Sequence, residues 1–159
     1  MPIFSTMGNK GMVWIAIAIV MMFFRKTRSW GLILLLSMLL GLIIGEVVLK
    51  NIICRIRPCN LVEVSMLIEK PSSYSFPSGH TCSSFASATV LMKMDKRFGI
   101  PALVLAFLIG FSRLYNYVHF PTDVLCGALL GVVCGFVMCL LFKKFGWQNK
   151  IDNLGIKKS

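Results

Sequence analysis

Acidic side chains are scarce in this sequence. Six Asp and Glu stand against seventeen Lys and Arg, a formal net charge of +11. The acids are also scattered, so no carboxylate cluster is available to hold magnesium or calcium. Histidine is scarcer still: only His80 and His119 occur. The six cysteines, Cys54, Cys59, Cys82, Cys126, Cys134 and Cys139, form no Cys-x-x-Cys pair and no Cys/His spacing typical of zinc ligands. Neither a metal nor another cofactor is therefore expected. Charge of either sign is low. Charged residues are 14% of the chain and hydrophobic ones 57%, against about 25% and 45–50% in a soluble domain. That excludes an ordinary soluble domain. It also removes the nucleic-acid reading that a charge of +11 would otherwise suggest. The basic residues mostly fall between apolar runs, as positive-inside topology and anionic lipid headgroups require.

What is present is a series of five apolar runs. The first is about Met12 to Phe24, followed by Arg25, Lys26 and Arg28. The basic residues mostly follow the run instead of preceding it, which argues against a signal peptide. The second, Trp30 to about Ile53, is the clearest spanning helix, with Glu46 and Lys50 spaced to pair across one turn. A loop from about Pro58 to Pro77 follows, in which LVEVSMLIE reads as a short interfacial helix or a plain connection. The third run, from Ser78 to Met94, is rich in small residues that let membrane helices approach closely. MDKRFG reads as a short basic loop before a fourth helix, Ile100 to Tyr117, with Pro101 in its first turn. The fifth runs from Pro121 to Phe142, and its glycines at 127, 131 and 135 form a close-packing face. Cys126, Cys134 and Cys139 fall in this run as small core or lipid-facing residues. Cys54 and Cys59 flank a basic segment, and whether they bridge is not readable from spacing. The expectation is one all-α membrane domain over 1–159: a polytopic helical bundle with about five spans and a basic cytoplasmic tail from Lys143.

Topology follows from the basic residues. With five spans, Arg25, Lys26 and Arg28, then Lys93, Lys96 and Arg97, then the tail all fall on one side. The positive-inside rule makes that side cytoplasmic. Lys50, Arg55, Arg57, His80, Arg113, His119 and Asp123 then share the extracytoplasmic face. This places the N-terminus outside, which is unusual without a leader.

Three segments converge on that face. In KNIICRIRP, Lys50 and Arg57 are seven apart, which returns to the same face of a helix that Pro58 would end. In FPSGHT, Ser78 is a natural N-cap, Gly79 admits a ligand close to the backbone, and His80 lies in the first turn. The free N–H groups there suit an anion. In SRLYNYVHFPTD, Pro121 fits the first helical position and Asp123 the first turn. Cations and N–H donors suit a phosphoryl group. One histidine can attack, oriented by a carboxylate, and the other can protonate the leaving oxygen.

These three motifs resemble the signature KxxxxxxRP … PSGH … SRxxxxxHxxxD of the type 2 phosphatidic acid phosphatase superfamily, over about Trp30 to Phe142. Every signature position is present, in order. The resemblance implies a metal-independent membrane phosphatase acting on a lipid phosphate or diphosphate. It implies His119 as nucleophile, Asp123 as its orienting carboxylate and His80 as acid. Lys50, Arg57, Ser78, Gly79 and Arg113 would hold the phosphate. Among small bacterial members, undecaprenyl pyrophosphate is the substrate that best suits an outward-facing site, with phosphatidylglycerophosphate and phosphatidic acid behind it. Membrane members typically have six spans, so the five read here imply a chain that starts late or a short form. The competing reading is a membrane protein that binds or transports a phosphorylated lipid without turning it over. A soluble relative is ruled out by the apolar runs.

Overall fold

A computed structural model describes residues 11–61 and 71–152 of the chain. Among these residues the fold is helical: α1 (Met12–Phe23), α2 (Arg28–Leu42), α3 (Lys50–Ile53), α4 (Gly79–Met94), α5 (Lys96–Tyr115), α6 (Pro121–Lys144) and α7 (Trp147–Asp152). Three stretches, Arg28–Asn60, Lys96–Tyr115 and Pro121–Lys144, are long and apolar enough to cross a membrane. The other two expected spans correspond to α1, with 12 residues, and α4, with 16. At 1.5 Å per residue α4 is about 24 Å long, short of the ~30 Å hydrocarbon layer.

The short helix α4 is the centre of the bundle, packed against α2, α5 and α6. Its small residues make this geometry attainable. Ser84, Ala86, Ser87 and Ala88 are all fully buried or nearly so. The α6 glycines complete the fit. A Cβ on Gly127, Gly131 or Gly135 would come within 2.6, 2.3 and 2.8 Å of the carbonyl oxygens of Ser78, Cys82 and Ala86. The stripe read from the sequence is thus the seam between α6 and α4, where small residues substitute for the hydrophobic drive that lipid cannot supply. Trp14 of α1 closes the other side, its indole donating to Ser84 Oγ at 3.0 Å. Large apolar side chains face outward along the long helices, among them Phe107, Leu125 and Leu129, as expected where the solvent is lipid.

Several local expectations change. The helix carrying Lys50 does not continue to Arg57. After α2 the backbone widens into a π-helical segment, Ile43–Leu49, and α3 then ends at Ile53. Cys54 adopts a left-handed conformation (φ 48°) and its N–H donates to Lys50 O at 3.1 Å, closing the helix. Arg57 is extended (φ −74°, ψ 150°), so Lys50 and Arg57 do not share a helix face. MDKRFG is not a loop either. Asp95 alone breaks the helices, its Oδ1 accepting from Arg97 N–H at 2.8 Å, so α5 begins at Lys96. Pro101 consequently lies inside α5 and not in its first turn. Cys54 and Cys59 are both free thiols. The interfacial helix considered for LVEVSMLIE lies, beyond Leu61, outside the described residues. The basic tail contributes α7, which folds back so that Asp152 accepts hydrogen bonds from the N–H and hydroxyl of Ser29, both 3.0 Å.

Candidate active site

Three chain segments meet at the start of α4. Ser78 is its N-cap residue, as the sequence suggests, but its hydroxyl contacts Thr81 Oγ1 at 2.9 Å and makes no bond to a backbone amide. Ser78 N–H donates to Asp123 O at 3.0 Å, which joins the beginnings of α4 and α6. Upstream, Ser75 N–H donates to Arg55 O at 2.8 Å. The PSGH segment is therefore fastened to both of the other motifs by backbone bonds.

The third motif turns sharply. α5 ends at Tyr115, Tyr117 has φ 57°, and Val118 N–H returns to Arg113 O at 3.2 Å. Pro121 then opens α6, where its missing N–H costs nothing. Asp123, in the first turn, is fully buried, and both of its oxygens accept hydrogen bonds. Oδ2 accepts from Phe120 N–H at 2.9 Å and from the Ser75 hydroxyl at 2.5 Å. Oδ1 accepts from Arg55 Nη1 at 2.8 Å. His119 Nδ1 faces Asp123 Oδ2 at 3.6 Å, longer than a hydrogen bond, a separation that catalytic pairs often show without substrate.

The other face of His119 meets Arg57. Arg57 Nη1 lies 3.1 Å from His119 Nε2 and also donates to Val118 O at 2.9 Å. Its Nε and Nη2 donate to the carbonyl and hydroxyl of Ser73 at 2.7 and 3.1 Å. A guanidinium can only donate. His119 Nε2 must therefore be the acceptor, and the ring proton sits on Nδ1, toward Asp123. Burial pushes the imidazole below its ordinary pKa; the Asp123 carboxylate pulls it upward, and the Arg57 charge pushes it down again. The net shift is downward, so the neutral ring is favoured and Nε2 is unprotonated, its lone pair directed at Arg57.

The other predicted cations lie in the same neighbourhood. Lys50, Arg57, Arg113 and His119 all lie near enough for their charges to act on His80. His80 Nε2 and Arg113 Nη2 are buried without a hydrogen-bond partner. Buried polar groups are rarely left unmatched; a guanidinium nitrogen and an imidazole nitrogen left without partners suit a bound anion. Lys50 is occupied: its Nζ contacts both oxygens of Glu46 at 2.6 Å. Among the described residues no three of His, Cys, Asp and Glu are grouped to hold a metal ion.

All eight residues singled out in the sequence thus gather here, though Lys50 and Arg57 arrive by different backbones. The sequence places Arg55 on this face without a role and gives no sign of Ser75 or Ser73. Arg55 was visible as an extra cation inside the first motif; it binds Asp123 and Thr122 Oγ1 and lies 4.1 Å over the Phe120 ring. Ser75 and Ser73 carry no spacing signal, because only the loop geometry brings them in.

Known proteins resemble this chain in sequence and fold. The PAP2 superfamily model matches residues 30–147. An undecaprenyl-diphosphatase of Sulfolobus acidocaldarius is 35% identical over 96% of this chain and 74% of its own length. Phosphatidylglycerophosphatase B of Bacillus subtilis is 38% identical over 74% of this chain and 60% of its own. The crystal structure of Aquifex aeolicus LpxE superposes with a TM-score of 0.75 at 36% identity, covering 86% of this chain and 81% of that one. The PAP2-type phosphatidylglycerolphosphate phosphatase from Bacillus subtilis gives 0.72 at 33% identity, covering 89% and 74%. With the motif residues gathered around one neutral histidine and the match running through α2 to α6, the chain belongs to the PAP2 superfamily and is a lipid phosphatase of the membrane.

Proposed function

We propose that the chain, acting as a single membrane domain, removes a phosphate from a lipid phosphate monoester or diphosphate through a phosphohistidine on His119. The observation that carries this reading is the 3.1 Å contact between Arg57 Nη1 and His119 Nε2. It leaves the nucleophilic nitrogen unprotonated and beside a cation that would hold the phosphoryl oxygens. His119 Nε2 attacks phosphorus, the bond to the leaving oxygen breaks, and His80 gives that oxygen a proton. Water then attacks the phosphohistidine, His80 takes a proton from it, and inorganic phosphate leaves with His119 restored. Asp123 holds the Nδ1 proton throughout and stabilises the charge that forms on the ring. Lys50, Arg57, Arg113, the Ser78 side chain and the Gly79 N–H cradle the phosphate, so no metal step is needed.

Undecaprenyl pyrophosphate is the first substrate to test. It is supported by the undecaprenyl-diphosphatase of Sulfolobus acidocaldarius, aligned over 96% of this chain. The site faces the extracytoplasmic side in this reading, because the basic residues flanking the helices collect at the other end. The test is phosphate release from undecaprenyl pyrophosphate, phosphatidylglycerophosphate and phosphatidic acid, with a chelator present. The expected result is undiminished turnover without divalent metal and a loss of at least about a thousandfold in His119→Ala. Labelled phosphate trapped on wild-type protein by a rapid quench is expected as well. Turnover that needs magnesium, or that survives His119→Ala, overturns the mechanism. Binding of lipid phosphate without any release identifies a carrier instead.

A further inference from the structure

The only carboxylate on the phosphate side of His119, among the described residues, is Glu46, and no step of the proposed reaction uses it. It is held in place by several independent features. Both its oxygens contact Lys50 Nζ at 2.6 Å. The lysine side chain is 7% exposed and the glutamate 36%, so the pair lies at the edge of the site with the cation inward. The carboxylate also lies against the start of α4, where a Cβ on Gly79 would come within 2.3 Å of Glu46 Oε1. Its charge acts on Arg57 as well. The π-helical segment Ile43–Leu49 contains Glu46, and such wide turns tend to mark functional positions in helices.

A carboxylate on a buried lysine, over a helix N-terminus and beside an arginine, has the partners that a phosphate oxygen would take. We propose that Glu46 is the resting counter-ion of the phosphate cradle: it neutralises Lys50 when the site is empty, is displaced by the incoming phosphoryl group, and returns to Lys50 to expel inorganic phosphate. This deepens the proposed function and rests on its assignment of the cradle. The physical logic is a balance of costs. An unpaired ammonium at the depth of Lys50 is expensive, and an unopposed cluster of cations would hold the product as firmly as the substrate. An internal anion of modest exposure relieves both. It weakens every phosphate by the same factor, and free phosphate, which has no lipid contacts to hold it, is the ligand that this brings to release.

The test compares inhibition of the wild-type enzyme and Glu46→Gln by inorganic phosphate and by vanadate. The glutamine keeps the shape and loses the charge. Both inhibition constants are expected to fall about tenfold in the variant, equivalent to about 1.4 kcal/mol. Unchanged or weaker inhibition in Glu46→Gln overturns the proposal and leaves the cradle standing, provided wild type is inhibited. Failure of vanadate to inhibit wild type overturns both. Should the glutamine variant not fold, the structure of wild-type protein with vanadate decides: the carboxylate is expected off Lys50, and a Glu46–Lys50 contact persisting beside bound vanadate overturns the idea.

Discussion

One contact fixes what His119 can do. Because Arg57 can only donate, Nε2 is left as a base and Nδ1 keeps the proton. The downward shift of the His119 pKa has a definite consequence for pH dependence. The attacking form is neutral, so it persists below the ordinary histidine value of about 6.5, and the acid limb of kcat/KM falls below that pH. Asp123→Asn removes the charge that pulls the ring upward. The limb should then move to still lower pH, while the plateau drops by about a hundredfold or more as the ring loses its orienting partner. A limb that rises or stays in place would show that Asp123 does not act on His119. Arg55 is the positioning residue behind this pair, bonded to Asp123 Oδ1 at 2.8 Å. Arg55→Ala should lower kcat about tenfold with KM little changed, and Arg55→Lys should recover part of the loss. An effect confined to KM would instead mean that Arg55 binds substrate directly.

At the scale of elements, the glycines at 127, 131 and 135 were legible because a four-residue repeat of a single small residue has one structural use in a membrane helix. Gly131 is the tightest point of that seam. Its replacement by alanine would put a Cβ within 2.3 Å of the Cys82 carbonyl oxygen, and backbone cannot swing aside as a side chain can. Gly131→Ala should destabilise the fold by about 1–3 kcal/mol, seen as a lower unfolding temperature in detergent. Helix ends were harder to read. Nothing in KNIICRIRP announces that Cys54 turns left-handed, since cysteine is not a habitual left-handed residue, and the next proline is the only stop signal the sequence offers. The π-helical turn at Ile43–Leu49 was invisible for a related reason: in a run where nearly every residue is apolar, periodicity carries no phase. Pro101 misled by suggesting a helix start, whereas the stronger signal was Asp95 accepting from Arg97 N–H. The site survived these errors because its motifs are anchored by tertiary backbone bonds, such as Ser78 N–H to Asp123 O, and not by helix phase.

Across the whole molecule, the two ends of the bundle carry different chemistry. Lys50, Arg57, Arg113 and His119 are buried at one end around a single site. At the other end Trp30, Lys93 and Lys143 line a common cavity, and Asp152 ties the tail to Ser29. Between them the outward-facing Phe107, Leu125 and Leu129 supply a surface for lipid. If the basic end is cytoplasmic, the site opens on the opposite face of the membrane. Cys54 offers a direct probe, because it is exposed while Cys59, Cys82 and Cys134 are buried. It lies between Lys50 and Arg55 in the first motif. A variant retaining Cys54 alone, checked for phosphate release to show that it folds, should react in intact cells with a membrane-impermeant maleimide. Saturating inorganic phosphate should not abolish that labelling, since the Cys54 thiol donates to Asn51 O at 3.1 Å and is not part of the cradle. Labelling that appears only after the cells are opened would place the site in the cytoplasm and would remove the main reason for preferring an outward-facing lipid diphosphate.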